Sequence, residues 1–422
     1  MVTKGKVPHR QILLLTSLLI VMLTSSLLVC TSINGVNGTS LENTVHVKNE
    51  EELKTAINNA PTKKPTTITL DNDITLTQTT DDHISNYWPV SIIIPADKDI
   101  TLTSNKNNGY YKLNGAINGS ILFVAPNGTL RIDGIAVIHT SNTGGGGVDV
   151  YTFAEFYFYS GIISGNKIYG GHGVSNMGTF VMSGGEISGN IAENGGGVYN
   201  SGTFTMTGGV ISGNTATNSG GGVNNAFNGV FTMSGGKISG NTADYGGGVY
   251  ISFSVFTMSG GEISGNKATK EGGGVYVGIS FISGDANNGP AFTISDGKIS
   301  SNTANLGGGV YISSSGGFDR RGGVISGNTA TNAGNDVYPD NIGDGLSSGN
   351  DGASNGNNNG SSSGNDGSSK GDNGVSIGGF SLRDIVITCV ITIVVTLCIV
   401  LFVLLVLSQK RLTQLERKQS NP

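Results

Sequence analysis

The sequence predicts an all-β chain folded as a parallel β-helix of roughly ten to eleven coils, with an N-terminal helical cap and one C-terminal transmembrane helix. Three observations carry this prediction. A short sentence recurs with a period near 25 residues, apolar and small polar residues alternate inside each copy, and one uncharged apolar stretch lies near the end of the 422-residue chain.

The repeat reads Phe-x-Met-Ser-Gly-Gly-x-Ile-Ser-Gly-Asn-x-Ala, followed by Gly-Gly-Gly-Val-Tyr. Its asparagines fall at Asn166, Asn190, Asn214, Asn241, Asn266, Asn302 and Asn328, in steps of 24, 24, 27, 25, 36 and 26. The long step marks one insertion, around Gly278 to Pro290. A period in this range means a solenoid, in which each unit buries its apolar face only against its neighbours. Within a copy, Phe204, Met206 and Ile211 alternate with small polar residues, which is the period of a strand. Gly-Gly and Gly-Asn pairs supply the tight corners between strands. One coil therefore holds about three short strands, stacked in parallel on the next coil about 4.8 Å away. A leucine-rich repeat is excluded because Leu306 is the only leucine between Gly146 and Pro339. Collagen is excluded because glycine does not recur every third residue.

These positions have physical roles. Phe180, Phe204, Phe231, Phe256 and Phe292 are expected to stack in the bore, with Met182, Met206, Met233, Met258 and Ile294 two places on. The seven asparagines are expected to form a structural ladder at an inner corner, each amide bonded to its equivalents above and below. Tyr199, Tyr250, Tyr276 and Tyr311 point outward if the valines before them point in. They form a possible binding surface for sugars or proteins.

Before the clean repeats, Asn49 is a candidate N-cap for a helix burying Leu53, Ala56 and Ile57, with acids in its first turn. Strand-like runs follow at Thr67, Ile74, Ser91 and Ile100. At the N-terminus, Lys4, Lys6 and Arg10 precede an apolar stretch from Ile12 to Val29, the build of a secretory signal. Near the other end, Ile385 to Leu407 is uncharged, long enough for about 35 Å of helix. Lys410, Arg411, Arg417 and Lys418 behind it assign the tail to the cytoplasm. The segments are then a signal peptide (1–32), a cap with a short helix (33–65), the β-helix (66–339), a disordered Gly/Ser/Asn linker (340–380), the transmembrane helix (381–408) and a basic tail (409–422). This places the protein in the cell membrane, single-pass, with its N-terminal region extracellular. Asn37, Asn118, Asn127 and Asn359 begin sequons and are possible glycosylation sites on an exported chain.

Net charge is −5, so no basic footprint points to nucleic acid. Cys30 sits in the leader, and Cys389 and Cys398 sit in the last apolar run, so no disulfide framework exists. Neither a cofactor nor a metal site is expected. Asp244, Asp285, Asp296 and Asp319 occupy different registers, and Gly334 to Tyr338 and Gly147 to Asp149 are isolated exceptions to the glycine-valine pattern.

Ile211 to Ala216 with Gly220 to Val223 resembles the repeats of chlamydial polymorphic outer-membrane proteins and of methanogen adhesin-like surface proteins. The helix-then-strand opening is similar to that of the pectate-lyase-like superfamily. The resemblance implies a right-handed parallel β-helix, here without a C-terminal barrel. It implies an adhesin-like function, in which the rod binds surface glycans or proteins of other cells or matrix. Such folds also carry polysaccharide lyases and glycoside hydrolases. Gly171-His172-Gly173 resembles a polygalacturonase motif, but His172 stands in the register of the glycine triple and lacks that family's paired aspartates. The reading is therefore a non-enzymatic surface protein. A carbohydrate-active enzyme and a non-binding envelope stalk stand as alternatives.

Overall fold

The computed structural model describes residues 43–77, 89–107, 109–116, 118–139, 144–167, 172–279 and 291–339. These residues form a parallel β-solenoid of about ten turns. The predicted membrane span, the leader, the linker and most of the Gly278 to Pro290 insertion lie outside the described residues. Among those described, no helix is long and apolar enough to cross a membrane.

Three sheets make the walls. The first is a 17-stranded wall to which a repeat contributes its Phe-x-Met piece and its Ile-Ser piece. In Val255–Ser264 and Phe292–Ser300 the two pieces merge into one bent strand. The second wall has ten strands of the Val-Tyr type, and the third has six of the Thr-Ala type, from Ile191–Asn194 to Thr329–Ala333. All registered pairings between named strands are parallel, and equivalent repeat residues face one another: Phe204 pairs with Phe231, Ile211 with Ile238 and Val223 with Val249. Period-two alternation is what selects this arrangement, since a slip of one residue would turn every Phe and Met outward.

The bore is a single apolar column. Phe156, Phe180, Phe204, Phe231, Phe256 and Phe292 are fully buried. Their rings stack nearly parallel, with centroids 4.5 to 5.0 Å apart. Each ring thus finds its partner at the strand spacing itself.

The asparagine register is equally regular. In every coil from Asn166 to Asn302, both the backbone N–H and Nδ2 of one asparagine donate to Oδ1 of the next, the Nδ2 bond at 2.7 to 3.0 Å. From Asn190 onward the second Nδ2 hydrogen goes to the isoleucine carbonyl of the preceding coil, as from Asn214 to Ile187. These amides are buried and fully used, which is the condition for placing polar groups in a core. His139 Nδ1 meets Asn166 Oδ1 at one end, and Asp336 receives Asn328 at the other.

Two glycines of the repeat serve different purposes. Gly213 has φ +61° with open space where a Cβ would lie, so its role is purely conformational. Gly197 has an ordinary φ, but a Cβ there would meet Gly222 O at 2.6 Å, Ile211 Cγ2 at 2.8 Å and Asn214 Nδ2 at 3.0 Å. The ladder can run at this corner only because no side chain stands against it.

At the N-terminal end, α1 (Glu50–Asn59) buries Leu53, Ala56 and Ile57 in the same continuous core. Asn49 Oδ1 accepts from Glu52 N, and Glu52 Oε2 accepts from Lys48 N, closing the first turn. The last turn of α1 carries no basic residue, and Lys98 from a later coil donates to the Asn58 and Ala60 carbonyls instead. The rungs begin earlier than residue 66: β1 (Asn43–Val47) already pairs with β2 (Pro65–Leu70), inside the stretch assigned to the cap. Val47 seats β1 on the core, while Val45 and His46 stay exposed.

Candidate binding surface

Tyr199, Tyr250, Tyr276 and Tyr311 each sit between buried residues on the second wall, and so face out of the rod. Tyr338, in the Gly334 to Tyr338 variant of the repeat and outside the predicted row, continues it. From Tyr250 to Tyr338 the rings stack at 4.9, 5.2 and 5.5 Å, within 11 to 13° of parallel. This changes what the row can do. Ring faces that cover one another cannot also stack on sugars, so the run presents edges and hydroxyls to solvent.

The row is flanked on one side by charge. Tyr245 meets Tyr276 edge-on at 5.6 Å, and Lys270 lies over Tyr245 at 4.8 Å while pairing with Asp244 at 2.9 Å. Burial raises the pKa of the Glu271 carboxyl, tempered by its hydrogen bond with Tyr311. Burial also raises Tyr276, reinforced by Tyr250 and Glu271 beside it. The row's hydroxyls therefore stay protonated and able to donate.

One position breaks the row. In register, Tyr199 pairs with Asn224, and Asn224 with Tyr250. Tyr199 instead packs its ring on His172, 5.1 Å away. His172 Nδ1 donates to Gly195 O, and burial lowers the pKa of this ring. The imidazole that suggested a hydrolase motif is thus held by a backbone carbonyl and an aromatic face. Asp149 lies in the same column, between Phe123 and Ser175. Burial raises its carboxyl to about 6, partly offset by a hydrogen bond with Ser120.

Beside the row, at the corner leading from the second wall to the first, three phenylalanines stand out. Phe153 is 77 % exposed and Phe227 69 %, and Phe253 is exposed as well. All three have positive φ, 65°, 50° and 50°, a region that a bulky residue rarely occupies. The repeat pattern does not pick them out, because residue type varies from coil to coil at this corner: Phe227 and Phe253 stand four residues after Val223 and Val249, where other copies carry Gly178 and Gly202, and Phe153 follows Asn127, Asp97 and Lys63 in a column of left-handed residues. The signal was the aromatic residue itself, at a corner where other coils place Lys63, Asp97, Asn127, Gly178 and Gly202. Ile279, at the start of the insertion, accepts a hydrogen bond from Phe253 N and so stands at this same corner.

A second polar ladder also escapes the repeat pattern: Asn176, Asn200 and Asn225 are buried and joined side chain to side chain at 2.7 Å. On the first wall, Lys237 pairs with Glu262 at 3.3 Å in a solvated register shared with Glu186 and Lys298. Of the sequons, Asn127 is exposed at a tight turn, and exposed Asn118 spends its Oδ1 on Gly144 N. Asn37 and Asn359 lie outside the described residues. Asn127 also borders a cleft of about 420 Å³ between α1 and the second wall, lined by Lys54, Ile57, Ile93 and Ala125. Among the described residues no three His, Cys, Asp or Glu side chains converge as metal ligands would.

No protein-family model, no curated protein and no solved structure matches the chain.

Proposed function

We propose that the protein is an adhesin-like surface rod whose second wall and adjoining corner bind glycans or proteins of other cells or matrix. The observation that carries this reading is the corner at Phe153, Phe227 and Phe253. Each ring is exposed on a backbone conformation that costs about 1–2 kcal/mol for a residue with a Cβ. Exposed apolar rings on strained backbone contribute nothing to the solenoid, where Gly or Asn would serve better. Such features mark sites of interaction. The leader and the stretch from Ile385 to Leu407, with the basic residues behind it, support export and anchoring at a membrane. The right-handed, adhesin-like character implied by the repeat resemblance belongs to the same reading.

The test is adhesion. The full chain, displayed on a non-adherent host cell, is assayed for attachment to cell layers and immobilised matrix. A triple variant in which Phe153, Phe227 and Phe253 are all replaced by Ser is displayed beside it. Attachment that falls about tenfold or more with an unchanged thermal transition supports the proposal. Attachment equal in both proteins, or absent from the native one, overturns it.

A further inference from the structure

We propose that the break in the tyrosine row is a binding slot for a single pyranose ring, held between Tyr199 and Tyr250 with a sugar hydroxyl donating to Asn224 Oδ1. This deepens the surface-binding reading and rests on it for its setting.

The first support is an orphaned acceptor. Asn224 is 3 % exposed, and among the described residues its Oδ1 is a buried acceptor without a donor. The amide cannot be turned round to remove the problem. Its Nδ2 donates to Ser219 Oγ at 2.8 Å and approaches Ser219 O at 3.4 Å. The Ser219 hydroxyl hydrogen is already committed to Asn194 Oδ1 at 2.6 Å. Ser219 therefore offers Asn224 only acceptors, which fixes the amide nitrogen on that side and leaves the oxygen unpaired. A buried, unpaired carbonyl costs about 1–3 kcal/mol, and such a group in a native fold calls for an explanation.

The second support is what flanks it. Every later coil carries tyrosine in this column, where stacking stabilises by about 0.5–1.5 kcal/mol per pair. Asn224 forgoes two such contacts and, among the described residues, leaves one face each of Tyr199 and Tyr250 without a ring partner. Their strands are two spacings apart, about 9.6 Å, so a guest midway lies about 4.8 Å from each ring. Carbon contacts are best at about 3.5–4.0 Å. A flat aromatic guest, tied to no strand, would settle on one ring and leave the other uncovered. A puckered pyranose is thicker, because its axial hydrogens stand off its mean plane, and can touch both faces. Its rim of hydroxyls also supplies the missing donor and meets the phenol groups of Tyr199 and Tyr250. Entry requires those two rings to turn aside, a rotamer exchange at half-buried surface positions.

Saturation-transfer NMR on the full-length protein in detergent micelles, with a panel of methyl pyranosides as probes and indole as competitor, tests the slot. The decisive variant is Asn224→Tyr, which fills the gap with the residue that occupies the later positions of the column. The expected result is saturation of at least one pyranoside by the native protein, weakened about tenfold or more in N224Y, with the thermal transition retained. Three results overturn the slot: no pyranoside saturated, equal saturation in N224Y, or displacement by indole at lower concentration than the sugar. Displayed N224Y separates the two proposals. Attachment by a native protein that saturates no pyranoside leaves the surface reading standing and removes the slot, whereas N224Y-sensitive sugar binding by a native protein that does not attach does the reverse.

Discussion

Asp336 Oδ1 accepts two hydrogen bonds from Asn328, one from the backbone N–H at 3.0 Å and one from Nδ2 at 2.8 Å. These are the bonds that each earlier asparagine donates to the next, so a carboxylate takes the place of the eighth amide. A carboxylate accepts and cannot donate, and the run of donors ends there.

Interior and terminal positions of the ladder should therefore respond differently to substitution. Asn241→Leu removes the acceptor for Asn214 N and Nδ2 and the donor for Ile211 O, all buried. The expected loss is about 3 kcal/mol or more, read as a lower urea midpoint. Asp336→Asn keeps the accepting oxygen at a partly exposed end and should change stability by no more than about 0.5 kcal/mol. Equal effects would show that the ladder is not a unit with a terminus.

The register of the seven asparagines is legible in the sequence because the period repeats both residue and spacing. Its ends are not, since His139 keeps the spacing but differs in type, and Asp336 differs in type and follows Asn328 by only 8 residues. The Asn176, Asn200 and Asn225 ladder is hidden for a related reason. Its column also holds Val150, Ile251, Val277 and Ile312, so polar and apolar residues share one inner position. The outward sense of the tyrosines follows from alternation, but the mutual covering of their faces depends on side-chain tilt, which alternation does not encode. Asn224 shows the limit best. It reads as an ordinary substitution until its amide is seen to be locked by a serine that is itself committed elsewhere.

Two glycines of one repeat should also separate conformational from steric cost. Gly213→Ala meets nothing and should lose only the left-handed penalty, about 1–2 kcal/mol. Gly197→Ala drives a methyl into backbone, Ile211 and the ladder, and should cost distinctly more. Ser301 occupies the Gly213 register at φ 58°, so Ser301→Gly should raise stability by up to about 1 kcal/mol. Thermal midpoints of the three variants check this order.

Asp149 makes an acid-side prediction. Its folded carboxyl is raised to about 6, against an unfolded value of about 3.9. The neutral form is thus favoured in the fold. Its stabilisation is full below about pH 4, declines as pH rises, and is lost once the pH passes 6. Asp149→Asn should remove this slope and raise stability at pH 7 by about 3 kcal/mol. Urea denaturation of both proteins at pH 4.5 and 7 measures it, and parallel midpoints would contradict it.

The tyrosine row predicts the opposite end of the pH scale. Burial, then the neighbouring Tyr250 and Glu271, raise the Tyr276 phenol above its ordinary value near 10. Because the folded pKa is the higher one, the contribution is complete below about pH 10 and falls away above it as the unfolded chain releases the proton first. The expected slope is about 1 kcal/mol per pH unit for this residue alone. Tyr276→Phe keeps the ring stack at 4.9 and 5.2 Å and removes the ionisable group, so it should unfold at a higher pH than the native protein. An alkaline titration followed by far-ultraviolet circular dichroism distinguishes the two. Coincident curves would mean that the row ionises no later than an unfolded chain, and that its hydroxyls are not held protonated by the packing around them.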